Sequence, residues 1–285
     1  ISDIDLEAEA KENEYGVAHQ LHNNNNDNEK KSSAADQLDN EYAMAGAHDP
    51  KILLTSSHEP SDSMQRFMKE LRYLFPNCQR VNRGSQQLST LTQAAINNGF
   101  TDLILVHESR GVPDSLIVSH LPHGPTAYFT LYNVVTRHDV LQGTEDAAST
   151  MPQVYPHLIF HNFKTRLGDR VATILKYLFP VPNADSKRVI TFANQNDFIS
   201  FRHHTYSKAK SSASSSASEK VLLKEIGPRF EMMCYQIKLG TIDMRDAENE
   251  WVLRSNMNTA KKRQALGLSK EDLEEAERER VESMK

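Results

Sequence analysis

A helix-ending hexapeptide occurs twice in this chain: Leu71-Arg-Tyr-Leu-Phe-Pro76 returns as Leu175-Lys-Tyr-Leu-Phe-Pro180, 104 residues later. The match extends upstream at helical intervals, pairing Phe67 with Val171 and Arg66 with Arg170. In each copy apolar residues recur at three- and four-residue steps, the stripe of a helix packed on a sheet, and proline then stops the helix. Extended runs flank both copies. Ile52 to Thr55 and Leu158 to Phe160 precede them; Cys78 to Asn82 and Arg188 to Phe192 follow them. A doubled strand-helix-strand pattern predicts two α/β (α+β) half-domains related by duplication, each with its own mixed sheet and flanking helix, facing each other across a pseudo-twofold axis.

Further elements complete each half. Leu88, Leu91, Thr92 and Ala95 predict a second helix in the first half, stopped at Gly99, and Asp102 to His107 reads as a buried central strand. Ser115 to Leu121 and Ala127 to Val135 predict a hairpin turned by Pro122-His-Gly-Pro125. Strands are expected at Phe198 to Tyr206, Val221 to Ile226 and Phe230 to Leu239. The folded body is placed at 48–268, with halves of about 48–150 and 151–268. The acidic, Asn-rich segment 1–47 buries too little apolar surface to order and is expected to be disordered. The Ser/Ala-rich stretch 207–220 is expected to be a floppy surface loop, and 269–285 an acidic helix with Ser269 as its N-cap.

Charge follows the same partition. The formal net charge is −5, but it is concentrated in the two ends, and residues 48–268 carry an excess of Lys and Arg together with most of the 12 histidines. A mildly cationic body suits a polyanionic partner. The chain has no apolar run near the ~18 residues of a membrane span. Its two cysteines, Cys78 and Cys234, stand far apart, which argues against a disulfide-stapled module and for a reducing compartment.

Motifs that mark catalysis are missing from the sequence. It contains neither Gly-x-x-x-x-Gly-Lys-Ser/Thr nor Gly-x-Gly-x-x-Gly, and no Gly-x-Ser-x-Gly elbow. His157 and His161 have a spacing that binds zinc on a helix, but on the strand predicted here they lie ~13 Å apart at ~3.3 Å per residue. The adjacent His203 and His204 would point to opposite faces of a strand.

Binding chemistry is better represented. Arg80 and Arg83-Gly84 follow the first helix, and Arg110-Gly111 follows the buried strand, each placing a planar guanidinium at a turn where it can reach phosphate oxygens. His123, Arg137, His138, Arg202 and His203 add donors, two of these groups near tyrosines able to stack on bases. These eight residues are the candidate RNA contacts. Loops in both halves are read as basic. An arginine beside a turn also serves as an intramolecular cap, so both roles stay open.

Seven segments in order carry a resemblance to a known family. They are Arg83-Gly84, His107-Glu-Ser-Arg-Gly-Val-Pro113, Pro122-His-Gly-Pro-Thr126, Pro156-His-Leu-Ile-Phe160, Arg188-Val-Ile-Thr-Phe-Ala-Asn194, Asp197-Phe-Ile-Ser-Phe-Arg202 and Glu225-Ile-Gly-Pro-Arg-Phe-Glu-Met232. Together they resemble the Brix domain across about residues 49–265. The resemblance implies two similar α/β halves and a non-catalytic RNA-binding assembly factor of the small-subunit processome, resident in the nucleolus. The implied partners are U-three small nucleolar RNA, precursor ribosomal RNA, and the proteins Mpp-ten and Imp-three; no cofactor or metal is implied. Two alternatives remain at this point: a protein-only scaffold clamping Mpp-ten, and a metal-dependent phosphohydrolase using the histidines.

Overall fold

The computed structural model describes residues 41–42, 46–142, 151–209 and 220–253. Most of the segment expected to be disordered, residues 210–219 of the stretch expected to be a loop, and the C-terminal helix lie outside the described residues; the ends of that stretch are strand instead, Ser207 pairing with Leu222 and Ala209 with Lys220, because the antiparallel ladder continues past the last apolar residue.

The first half runs β1 (Ile52–Ser56), α1 (Asp62–Leu74), β2 (Cys78–Arg80), α2 (Leu88–Asn97), β3 (Asp102–Ser109), β4 (Val112–His120) and β5 (Thr126–Val135), followed by the short α3 (Arg137–Val140). The second runs β6 (His157–His161), α4 (Arg166–Lys176), β7 (Arg188–Gln195), β8 (Phe198–Ala209), β9 (Lys220–Glu225), β10 (Arg229–Lys238) and β11 (Asn249–Val252). The expected separate sheets are one. Its order is β2-β1-β3-β4-β5-β10-β8-β7-β6, with β9 on β8 and β11 on β10. The halves join where β5 and β10 pair antiparallel from Thr126–Lys238 to Val135–Arg229, because both strands present apolar side chains to the same layer and leave no edge between them.

Outward from that seam the order is palindromic. β5 mirrors β10, β4 mirrors β8, β3 mirrors β7 and β1 mirrors β6, which is the expected pseudo-twofold relation. The positions also correct one correspondence. β7 pairs parallel with β6 and antiparallel with β8, as β3 does with β1 and β4, so the counterpart of Arg188 to Phe192 is β3. β2, at Cys78–Arg80, is an additional outer strand, and α2 returns the chain from it to β3.

Local chemistry sets the helices. Ser61 caps α1 by accepting a hydrogen bond from the Met64 amide at 3.2 Å, and Thr165 caps α4 by accepting one from Gly168 at 3.0 Å. The buried stripe of α1 is Met64, Phe67, Met68, Leu71 and Leu74; that of α4 is Leu167, Val171, Ile174 and Leu175. Both stripes enter one cluster on one face of the sheet, with Ile52, Leu54, Ile104, Val106 and Phe129 from the first half and Ile190, Phe192 and Phe201 from the second. The duplicated phenylalanines meet there, Phe75 and Phe179 having ring centroids 5.3 Å apart. Phe179, Phe192, Phe201, Phe230 and Phe67 continue the chain of ring contacts, with Phe201 stacked on Phe230 at 4.4 Å. Burying each such ring contributes about 2–3 kcal/mol, so the halves cohere through a shared core. On the opposite face α2 packs Leu91 and Ala95 against Leu53, Leu103 and Leu121.

The N-terminal segment contributes to this core, contrary to the expectation of disorder through residue 47. Tyr42 is buried, stacked on Tyr177 at 4.8 Å and tilted against His120 at 4.6 Å. Beside it the Glu41 carboxylate accepts from Arg170 Nη2 at 3.0 Å, and Arg170 also holds Glu250. Residues 41–42 thus bridge the halves at α4.

Arg188 is the largest fully buried side chain. Its guanidinium donates to the carbonyls of Tyr73 and Leu74 at the end of α1, to the carbonyl of Val154, and from Nε to His203 Nε2 at 2.8 Å. The C-terminal end of a helix carries partial negative charge, so these carbonyls replace a carboxylate as the counter-charge. Burial lowers the Arg188 pKa to about 10, which leaves it protonated at neutral pH. Arg188→Leu would leave three carbonyls and an imidazole buried without donors, and a destabilisation of about 3 kcal/mol or more is expected in urea unfolding.

Candidate nucleic-acid interface

Parallel pairing of β1 with β2 and β3 puts the ends of these three strands at one edge of the sheet. Arg80 and Arg83 emerge there after β2, and Arg110 occupies the turn after β3. Because β4 and β5 alternate in direction, β5 also ends at this edge, delivering Arg137 and His138. Five of the eight candidates therefore gather along four strand spacings, about 20 Å. Exposed Arg66, Lys69 and Arg72 on α1 extend this cationic surface, and Arg80 donates to the Gln65 carbonyl of the same helix at 3.4 Å. Those three were missed as candidates; their signal was the polar side of the α1 stripe.

The turns themselves are architectural. Ser109 pairs with Val112, so Arg110-Gly111 is a two-residue hairpin turn, and both residues have positive φ, 53° and 79°. Such a turn matches the twist of its strands and favours glycine at the second position. Arg110 is left exposed at the tip. The preceding Glu108 accepts from the Ser61 amide at 2.9 Å and from the Ser61 hydroxyl, tying the start of α1 to β3. The equivalent turn of the second half, between Gln195 and Phe198, is Asn196-Asp197, again with positive φ at both residues. It carries no cation. Matching basic loops in both halves, as expected from sequence, are therefore not found at these turns; the gathered cations belong to the first half.

His123 lies at the opposite edge, exposed in the connection from β4 to β5. Its neighbours hold that connection down: Thr126 donates from its hydroxyl to the Gly240 carbonyl at 2.6 Å, and a Cβ on Gly124 would sit 2.7 Å from the Gly240 backbone. Arg202 projects from β8 on the face away from α1 and α4. It donates to the Phe201 carbonyl at 3.0 Å and lies 3.8 Å from the Glu231 carboxylate, which also accepts from Asn133.

His203 is corrected outright. It is fully buried, so it cannot meet a solvent-borne polyanion. A guanidinium has no acceptor, so His203 Nε2 must be the bare nitrogen facing Arg188, and Nδ1–H donates to the Gly227 carbonyl at 2.7 Å. Burial, then the Arg188 charge, push its pKa down to about 3. Gly227 is in turn fixed by close approach, a Cβ there falling 3.0 Å from Arg137 Cα. Arg137 itself is half-buried, its amide donating to Glu70 at 2.8 Å.

Among the described residues no group of three or more His, Cys, Asp and Glu side chains could hold a metal ion. His157 and His161 lie at opposite ends of β6, as the sequence spacing predicts. The thiols of Cys78 and Cys234 are both raised to about 12 by burial, which leaves them protonated and poorly nucleophilic.

These titrations set a pH dependence. Below the ordinary histidine value of 6.5 the unfolded chain protonates position 203, whereas the native site stays neutral to about 3, so each falling pH unit in that window removes about 1.4 kcal/mol of stability. His120 works oppositely: burial resists its charge, but its hydrogen bond to Asp102 and that carboxylate's charge raise its pKa, so its contribution is present below 6.5 and is lost as pH rises through its native value. Urea midpoints are expected to fall from pH 6.5 to pH 4, and more shallowly in His203→Gln; parallel profiles would remove His203 as the cause.

A family model and three relatives bear on the arrangement. A family model of the Brix domain matches residues 57–236. A Brix domain-containing protein of Caenorhabditis elegans is 50% identical over 240 residues, covering 84% of this chain and 78% of the relative. The U3 small nucleolar ribonucleoprotein protein IMP4 of Homo sapiens is 52% identical over 227 residues, covering 79% and 74%, and that of Saccharomyces cerevisiae is 48% identical over 232 residues, covering 81% and 76%. Since the matched span runs from the end of β1 into β10, it takes in both halves, the seam between them and the turns fixed by Glu108, Gly124 and Gly227, and on these grounds the chain belongs to the Brix-domain family.

Proposed function

We propose that this chain is a non-catalytic, RNA-contacting factor of ribosome biogenesis that acts in the nucleolus within the small-subunit processome. There it assists pairing of U-three small nucleolar RNA with precursor ribosomal RNA, alongside Mpp-ten and Imp-three. The names carried by its relatives support the setting. The observation that carries the contact is the gathering of Arg80, Arg83, Arg110, Arg137 and His138 at one edge.

The mechanism is electrostatic docking on a rigid edge. Guanidinium groups at strand ends take paired hydrogen bonds to phosphate oxygens, and displaced counterions supply much of the driving force. The turns are held by bonds within the chain, so their cations are presented without ordering a loop at the moment of binding. Arg83 has its Nε buried without a partner, which directs only the outer nitrogens of its fork toward a ligand. Arg202, already beside Glu231, contributes less than the edge arginines.

Filter retention of a single-stranded oligoribonucleotide across a salt series tests the edge. The double variant Arg80→Glu, Arg110→Glu is expected to bind at least tenfold more weakly at low salt, with a log–log salt slope shallower by about 0.7 for each phosphate it no longer neutralises. Arg202→Gln is expected to change affinity less than threefold. Retention by the double variant equal to that of the native chain would overturn the edge as the RNA surface, and salt-independent or absent retention by the native chain would favour the protein-only scaffold.

A further inference from the structure

The face of the sheet turned away from α1 and α4 is covered over only part of its width. There α2 sets Leu91 and Ala95 against Leu53 and Leu103, and the second half has no counterpart of α2 among the described residues. Strand alternation decides what the seam presents on this face. Phe129 and Leu131 of β5, Phe230 and Met232 of β10, and Ile199 and Phe201 of β8 enter the core cluster. Their neighbours Tyr128 and Tyr132, Glu231, and Phe198 and Arg202 therefore point the other way. The register places Glu231 between Tyr132 and Ser200, and Met233 between Thr130 and Phe198.

Aromatic rings dominate the result, in two pairs. Tyr132 and Phe198 have centroids 5.9 Å apart, and so have Tyr128 and Tyr235, with interplanar angles of 51° and 50°. None of the four belongs to either apolar cluster, and Phe198 and Tyr132 keep 46% and 37% of their surface exposed. A tilted contact props a ring while leaving its outer face open. Tyr128 and Tyr132 stand ~13 Å apart along β5, so each pair can hold a different base. What surrounds the rings favours a nucleotide strand over a protein. Glu231 lies among them, accepting from Asn133 at 2.9 Å and standing 3.8 Å from Arg202, and Arg229 is paired with Glu225 at 3.4 Å. A protein covering the rings would also bury these charges, at a desolvation cost, and interface centres are depleted in charge. A single RNA strand covers the rings with its bases alone and leaves phosphates and ion pairs in water; Glu231 then offers an acceptor to base amino groups. The rings are also continuous with the cationic edge, since β5 carries Tyr132 and then ends at that edge, delivering Arg137.

We propose that Tyr132 and Phe198, with Tyr128 and Tyr235 behind them, form a platform on which successive bases of a single RNA strand stack as it leaves the cationic edge. Base–aromatic stacking tolerates any sequence and releases no counterions, so the platform adds affinity that salt does not screen. It rests on the RNA contact proposed above and extends it, from phosphates held at the edge to bases held on the sheet.

Fluorescence anisotropy on the full chain, with an end-labelled oligocytidylate and with an abasic ribose-phosphate oligomer of the same length, tests it. The native chain is expected to bind the oligocytidylate at least tenfold more tightly than the abasic oligomer. The double variant Tyr132→Leu, Phe198→Leu keeps apolar volume without rings. It is expected to bind the oligocytidylate about tenfold more weakly, with the salt slope and the abasic affinity unchanged, whereas Phe198→Trp keeps native affinity. Unchanged abasic affinity shows the variants folded; if the double variant melts early, Phe198→Leu against Phe198→Trp decides. Equal native affinity for the two oligomers, or a double variant that binds oligocytidylate as the native chain does, would overturn the platform and leave the edge standing. Failure of the native chain to bind either oligomer would overturn both. A dimer in sedimentation velocity that Phe198→Leu dissociates would overturn the platform by giving this face to a second copy of the chain.

Discussion

A buried guanidinium without a carboxylate beside it is the constraint on which this architecture turns. Arg188 starts β7 in the second half, yet its hydrogen bonds end α1 in the first, so neither element is complete alone. Leaving such a charge unpaired in a core would cost several kcal/mol, which forces the end of α1, the approach to β6 and His203 on β8 into one relative placement. The neutral state of His203 follows from the same contact. Apolar burial is non-directional and could tolerate sliding of one half on the other; a fork of five donors does not. The shared phenylalanine layer supplies cohesion, and Arg188 supplies register.

Motif residues that look like ligand contacts in sequence are, on this view, largely the means by which a duplicated sheet is closed. Glu108 fastens α1 to β3, Gly124 and Thr126 clamp the loop at Gly240, and Gly227 accepts from His203 while making room for Arg137. Each is required by a short distance or a positive φ, and none by an external partner. Arg110 is the clearest contrast: the glycine after it makes the turn, and the arginine side chain stays exposed at the tip.

Much of the fold was legible in the linear pattern. The repeated hexapeptide identified both helices, and the palindromic sheet order follows from their duplication. Two things were hidden. Periodicity reports which face of a strand is buried but not which strand lies beside it, so the joining of β5 to β10, where Thr130 meets Met233 from far along the chain, could not be separated from two closed sheets. The equivalence of β7 to β3 was obscured because β2 and α2 stand between α1 and β3, and a strand-helix-strand search stops at the first strand it meets. For the interface, five candidates shared an edge because loops at strand ends share edges; His203 is in phase with Ile199 and Phe201 on β8, so alternation already put it on the buried face, and what the sequence hid was the Arg188 guanidinium that makes a buried histidine tolerable there.

The duplication also explains why the cationic surface is one-sided. A pseudo-twofold axis normal to the sheet sends the ends of β1 and β6 to opposite edges, so identical loops would yield two separate basic patches facing apart. A single strand of RNA following one patch would not meet the other without crossing the sheet. Concentrating arginine at Arg80, Arg83 and Arg110, while the equivalent turn became Asn196-Asp197, yields one continuous edge instead. The second half contributes the wall of β6 and α4 that faces the first half. A cationic edge and an apolar cleft between the halves are separate surfaces that one duplicated core holds rigid together.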